Sequence, residues 1–173
     1  MKFQTIVKKP KAFLAMTGCH IEEFNHLLPY FTKALKHSKY TLEGKERQNQ
    51  STNYLNSPLP SSQDKLYFIL VYNKQYPTQE MMGASFNLSQ PKANLWIHFL
   101  NPLLEEALSA AELMPCRQMD QSTGEESSLY SHDGVEREIQ RPKKDQKIYY
   151  SGKKKTHTVK NNVLADSSCK VIF

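Results

Sequence analysis

A chain of 173 residues with 39% apolar and 23% charged side chains has the composition of a globular protein and is long enough to bury a core, in one domain or in two small ones. No apolar run approaches the roughly 20 residues that cross a bilayer, and Met1–Thr5 leads into no signal-like apolar stretch, so no membrane partner and a cytoplasmic location are expected. The net charge of +6 points to an anionic partner, and Cys19, Cys116 and Cys169, far apart and without metal-ligand spacing, read as reduced thiols.

In chain order, Ile21, Phe24, Leu27, Leu28, Phe31 and Leu35 recur at helical spacing between His20 and Lys36, with Glu22 and Glu23 suited to the positive end of the helix dipole. The polar stretch from Thr41 to Pro60 reads as a loop. Ser61 and Asp64 have capping-box spacing ahead of Leu66–Tyr72, a run apolar on every side; the cap favours a buried helix over the competing buried strand. Pro77 opens a short helix to Phe86, Asn87 and Leu88 make a turn, and Ser89 stands where it can cap a further helix. That helix carries Ala93, Trp96, Ile97 and Leu100 on one face, with a kink or restart expected at Pro102 before Leu103, Leu104, Ala107 and Leu108. Met81, Met82 and Trp96 read as core.

After a linker over about 112–127 the periodicity changes. Leu129–Asp133 reads as a short strand ended by Gly134, His157–Ala165 as a second and Cys169–Phe173 as a third. The expected class is therefore α+β: a helical domain over 1–111, then a β-rich segment over 128–173.

Three features carry chemistry. A short helix, a tight turn and a capped amphipathic helix make a helix-turn-helix pattern, in which Gln90, Lys92 and Asn94 would reach base edges or phosphates in the major groove. The same spacing also suits a plain helical hairpin with its polar residues in water. Between Arg137 and Lys160, nine basic residues face only Glu138 and Asp145, a local charge of +7. Such a patch suits a phosphate backbone, with Arg141, Lys143, Lys153, Lys154 and Lys155 as contacts, although a solvated loop would look alike. Asp133, at the end of a central strand leading into this loop, is placed like a rigidly held metal ligand for phosphoryl transfer; an Asp before Gly is also a common turn residue.

Ser131–Lys143 (Ser-His-Asp-Gly-Val-Glu-Arg-Glu-Ile-Gln-Arg-Pro-Lys) and the Tyr149–Asn161 stretch around Ser-Gly-Lys-Lys-Lys-Thr-His closely resemble DDE transposases of bacterial insertion sequences. Asn56–Leu66 and Met82–His98 are similar to the same family's N-terminal helix-turn-helix domain, and the resemblance runs from about Phe13 to Phe173. It implies the first strands of an incomplete ribonuclease-H-like domain, with Asp133 the first of three catalytic acids and a ligand to divalent Mg or Mn. The later Asp and Glu of the family pattern have no counterpart here. Where the family string usually reads Asp-Gly-Thr-Glu-Arg-Pro, this chain has Val135 and Glu138 in place of the Thr and Pro.

The expected function is thus that of a transposase fragment that binds insertion-sequence ends, is inactive alone in strand cleavage and does not hold its metal tightly. The alternatives are a DNA-binding module that regulates full-length transposase, a degenerate pseudogene product, or a subunit completed through a second reading frame.

Overall fold

The structure, a computed structural model, describes residues 2–48, 57–114, 131–165 and 171, and divides into two units, Met1–Leu113 and Met114–Phe173. The first is helical and the second holds the strands, an α+β composition.

In the first unit the described helices are α1 (Phe3–Ile6), α2 (Pro10–Thr17), α3 (Ile21–His37), α4 (Ser62–Gln75), α5 (Gln79–Phe86) and α6 (Gln90–Ala110). The stretch Leu66–Tyr72 is helix, as its cap requires. Ser61 Oγ accepts the Asp64 N–H at 3.0 Å and Asp64 Oδ2 accepts the Ser61 N–H at 3.4 Å, closing the capping box. A cap of this kind contributes about 1 kcal/mol. The run is apolar all round because α4 is central: it packs against α1, α2, α3 and α6, and Leu66, Tyr67, Phe68 and Ile69 are wholly buried.

Around α4 the aromatic rings form one cluster. Phe3 stacks on Phe24 at 5.0 Å, Phe13 meets Phe24 edge-on at 5.4 Å, and Phe68 meets Phe86 at 4.9 Å. Tyr67 lies inside this cluster, stacked on Phe13, with its hydroxyl donating to Met16 Sδ at 3.5 Å. Burial pushes its phenol from 10 up to about 12. A native value above the unfolded one means that folding favours the neutral phenol. The stabilisation is complete below pH 10 and is lost as pH rises through 12. Tyr67→Phe is therefore expected to lose less stability than the parent between these two values; equal losses in urea midpoint would overturn the assignment.

Several expectations are corrected here. Pro102 does not restart a helix: α6 runs unbroken through it from Gln90 to Ala110. Pro102 is exposed, so the carbonyl that loses its N–H partner can turn to water. Ser89 occupies the N-cap of α6, yet its side chain makes no capping bond. Of the paired methionines only Met82 is core; Met81 is 60% exposed. Two short helices, α1 and α2, precede the first one expected.

In the second unit, β1 (Ser131–Glu138), α7 (Gln146–Tyr149), β2 (Tyr150–Ser151) and β3 (Thr156–Ala165) are described, and the antiparallel strands lie in the order β1-β3-β2. Gly134 does not end the first strand. It pairs with Asn162 without a positive φ, and β1 continues to Glu138. Among the described strands β1 is an edge, so Asp133 is not on a central strand. Of the third expected strand only Val171 is described, in an antiparallel bridge with Ala165. Most of the expected linker, with Cys116, and the remaining residue of the cysteine set, Cys169, lie outside the described residues.

Candidate nucleic-acid interface

The connection between α5 and α6 is unusually close. Asn87 takes the left-handed conformation at φ 56°, and Leu88 donates its N–H to the Gly83 carbonyl at 2.8 Å. Gly83 is buried under this turn, and a Cβ there would stand 2.7 Å from the Leu88 carbonyl oxygen. The two helices thus meet at backbone distance, which only glycine permits. Thr78 caps α5 by accepting the Met81 N–H at 3.3 Å.

The three residues expected to read DNA all fall in the first turns of α6, in different settings. Lys92 is exposed and has no hydrogen bond or ion pair among the described residues. Gln90, also exposed, donates through Nε2 to Gln79 Oε1 at 2.5 Å. Gln79 in turn donates through Nε2 to Asn94 Oδ1 at 2.9 Å. Gln79, the first residue of α5, therefore bridges two of the three across the turn. It was not anticipated, because it lies on the other helix and no local spacing connects it to them. Asn94 is half-buried, held more as part of this bridge than as a free arm. Trp96 packs edge-on against Phe99 at 6.0 Å, with the Lys65 ammonium 5.9 Å from its ring centroid.

In the second unit the basic stretch is partly neutralised from within. Glu136 pairs with Lys160 at 3.3 Å and accepts the Ser151 hydroxyl at 3.2 Å, while Lys154 Nζ donates to the Glu136 carbonyl at 3.4 Å. Burial works to raise the Glu136 pKa. The hydrogen bonds from Lys160 and Ser151 and the charges of Lys160 and Lys154 outweigh it and hold the carboxyl below its ordinary value. Ser151 itself is buried beneath the hairpin loop and accepts the Lys154 N–H. Lys153 and Lys155 stand exposed on that loop, and Lys143 is exposed beyond β1. Arg141 donates from Nε and Nη2 to Gln146 Oε1 at 3.0 and 2.8 Å.

Asp133 is exposed, and its Oδ1 accepts the N–H of the adjacent Gly134 at 2.7 Å. It pairs with Val163, and the alternation of the strands puts Ser131, Val135, Asn161 and Ala165 around it on the same face. Glu136 points to the other face. Among the described residues no group of three His, Cys, Asp or Glu could hold a metal ion, so Asp133 and its neighbours do not by themselves fit one.

A tight helix-turn-helix with a cation and amides at the head of its second helix is the arrangement of a DNA-binding domain. Residues 57–110, which span α4 to α6, match the family described as the helix-turn-helix of DDE superfamily endonuclease. The helical unit thus carries the helix-turn-helix of a DDE transposase N-terminal domain. Neither the curated proteins nor the solved structures give a match to the chain. Among the described residues, no helix is long and apolar enough to cross a membrane.

Proposed function

We propose that this chain recognises the ends of an insertion sequence through α6 and belongs to a transposase. What supports this reading is the coincidence of the matched residues 57–110 with a helix-turn-helix whose second helix opens on Gln90 and Lys92. In the same reading β1 and β3 begin a ribonuclease-H-like endonuclease, and Asp133 is the first of its catalytic and metal-binding acids. Arg141, Lys143, Lys153, Lys154 and Lys155 then follow the DNA backbone, with Lys154 the weakest contributor because its ammonium already serves Glu136. A divalent Mg or Mn ion would be held tightly only with further carboxylates, so no metal-dependent step is assigned to Asp133 alone. A cytoplasmic location goes with this function.

The test is binding of the full chain to duplexes carrying the element's ends and to scrambled duplexes, measured over a range of salt. Binding is expected to weaken as salt rises, and Lys92→Ala should reduce the slope of log K against log salt by about one. No binding at low salt to either duplex would end the reading. A second reading is favoured by the contrast between a formed helix-turn-helix and an Asp133 that, among the described residues, belongs to no metal-holding group: the chain regulates full-length transposase by occupying its sites. In that case the same complexes, given Mg or Mn, leave both strands uncut, and nicking that Asp133→Ala abolishes would exclude it.

A further inference from the structure

The second unit contains a concavity of about 420 Å³ lined by Arg141, Gln146, Lys147, Tyr150 and His157. Its construction follows from the strand register. Tyr150 of β2 pairs directly with His157 of β3, so their rings lie on one face and meet edge-on, 5.6 Å apart at 71°. The Ile139 N–H donates to the His157 carbonyl at 2.9 Å and ties the end of β1 to the same place. Gln146, on α7, holds the guanidinium of Arg141 through two of its five N–H donors, fixing its plane and leaving the others for a ligand. Lys147, the next residue, is exposed, and Tyr150 is 51% exposed. The lining includes two cations, a ring pair and no carboxylate.

This combination is suited to an anion joined to a flat ring. The geometry points to a seat for one unpaired nucleotide of a DNA strand, its phosphate on Arg141 and Lys147 and its base against Tyr150 and His157. The assignment rests on the DNA-binding reading above and adds to it the strand form that the second unit takes. The volume lies in the range of small-ligand sites, whereas a base inside a duplex is stacked on its neighbours and offers no free face to a protein ring. Stacking is also tolerant of base identity, so the seat would choose unpaired over paired DNA rather than one sequence over another.

The full chain should be titrated against a labelled blunt duplex and the same duplex bearing a short single-stranded tail. The tailed duplex is expected to bind about tenfold more tightly, the effect of one stacked base. Tyr150→Ala should erase this difference while leaving blunt-duplex binding intact, Tyr150→Phe should preserve it, and Lys147→Gln should diminish it. The His157 ring signals in the unaltered chain give an independent reading: they should shift with the tailed duplex and not with the blunt one. Equal binding of the two duplexes with unmoved His157 signals overturns the seat and leaves the helix-turn-helix reading standing. Binding of neither duplex removes both. Displacement of the tailed duplex by a mononucleotide at equal concentration would assign the site to a free nucleotide and overturn the strand assignment.

Discussion

Native-state hydrogen exchange is expected to split the chain into a slow unit and a fast one. Every buried hydrophobic side chain among the described residues lies between Phe3 and Ala107; in the second unit only Ser151 and Thr158 are buried. The amides of Ile69, Ile97, Leu100 and Leu104 sit within helices whose opening exposes the aromatic cluster, so they exchange by global unfolding. Those of β3 have good ladder bonds to β1, but among the described residues the sheet buries no apolar face against another layer, and such a small sheet is marginal in water. The difference should be at least about a thousandfold, which is about 4 kcal/mol at about 1.4 kcal/mol per tenfold. Amides from Val159 to Val163 protected as strongly as that of Leu100 would show a core in the second unit and refute this account.

Gly83→Ala should destabilise the helical unit by about 1–2 kcal/mol, the range for forcing an atom into a filled space. The sign is informative, because alanine in the middle of a helix ordinarily gains up to about 1 kcal/mol over glycine. Here the new methyl group would meet the Leu88 carbonyl at 2.7 Å, and a backbone oxygen in a turn cannot rotate aside as a side chain can. The turn must open, moving the start of α6 with Gln90 and Lys92, so DNA affinity should fall together with the urea midpoint. A raised midpoint would mean that α5 and α6 do not approach as closely as described.

What could be read in advance follows from how local the signals are. The α4 run was ambiguous by periodicity, and one capping box settled it, because Ser61 and Asp64 interact within a single turn. The α5–turn–α6 order was equally legible, since Asn87 supplies the left-handed residue a turn needs. The helices α1 and α2 escaped because they are short and Lys2 and Lys9 at their N-caps are not capping residue types, and their Phe3 and Phe13 enter the cluster. Gly134 misled for the opposite reason: a residue that often breaks strands is held extended by Asn162 across the ladder. At the candidate interface, the exposed position of Lys92 in the first turn of α6 could be read from its place in the helix. The partners Gln79, Gln146 and Ser151 could not, since each becomes a neighbour only when the chain folds back.

The amide chain from Gln90 through Gln79 to Asn94 has a consequence for recognition that concerns rotamers rather than contacts. Long polar side chains on a free helix sample many arrangements, and fixing each one on association costs about 0.5–1.5 kcal/mol. In this protein two of the expected base-reading groups are already tied to one side chain of the preceding helix. On the proposed reading, part of the ordering is completed during folding, and this edge would meet DNA in a shape that the turn between two helices has already chosen.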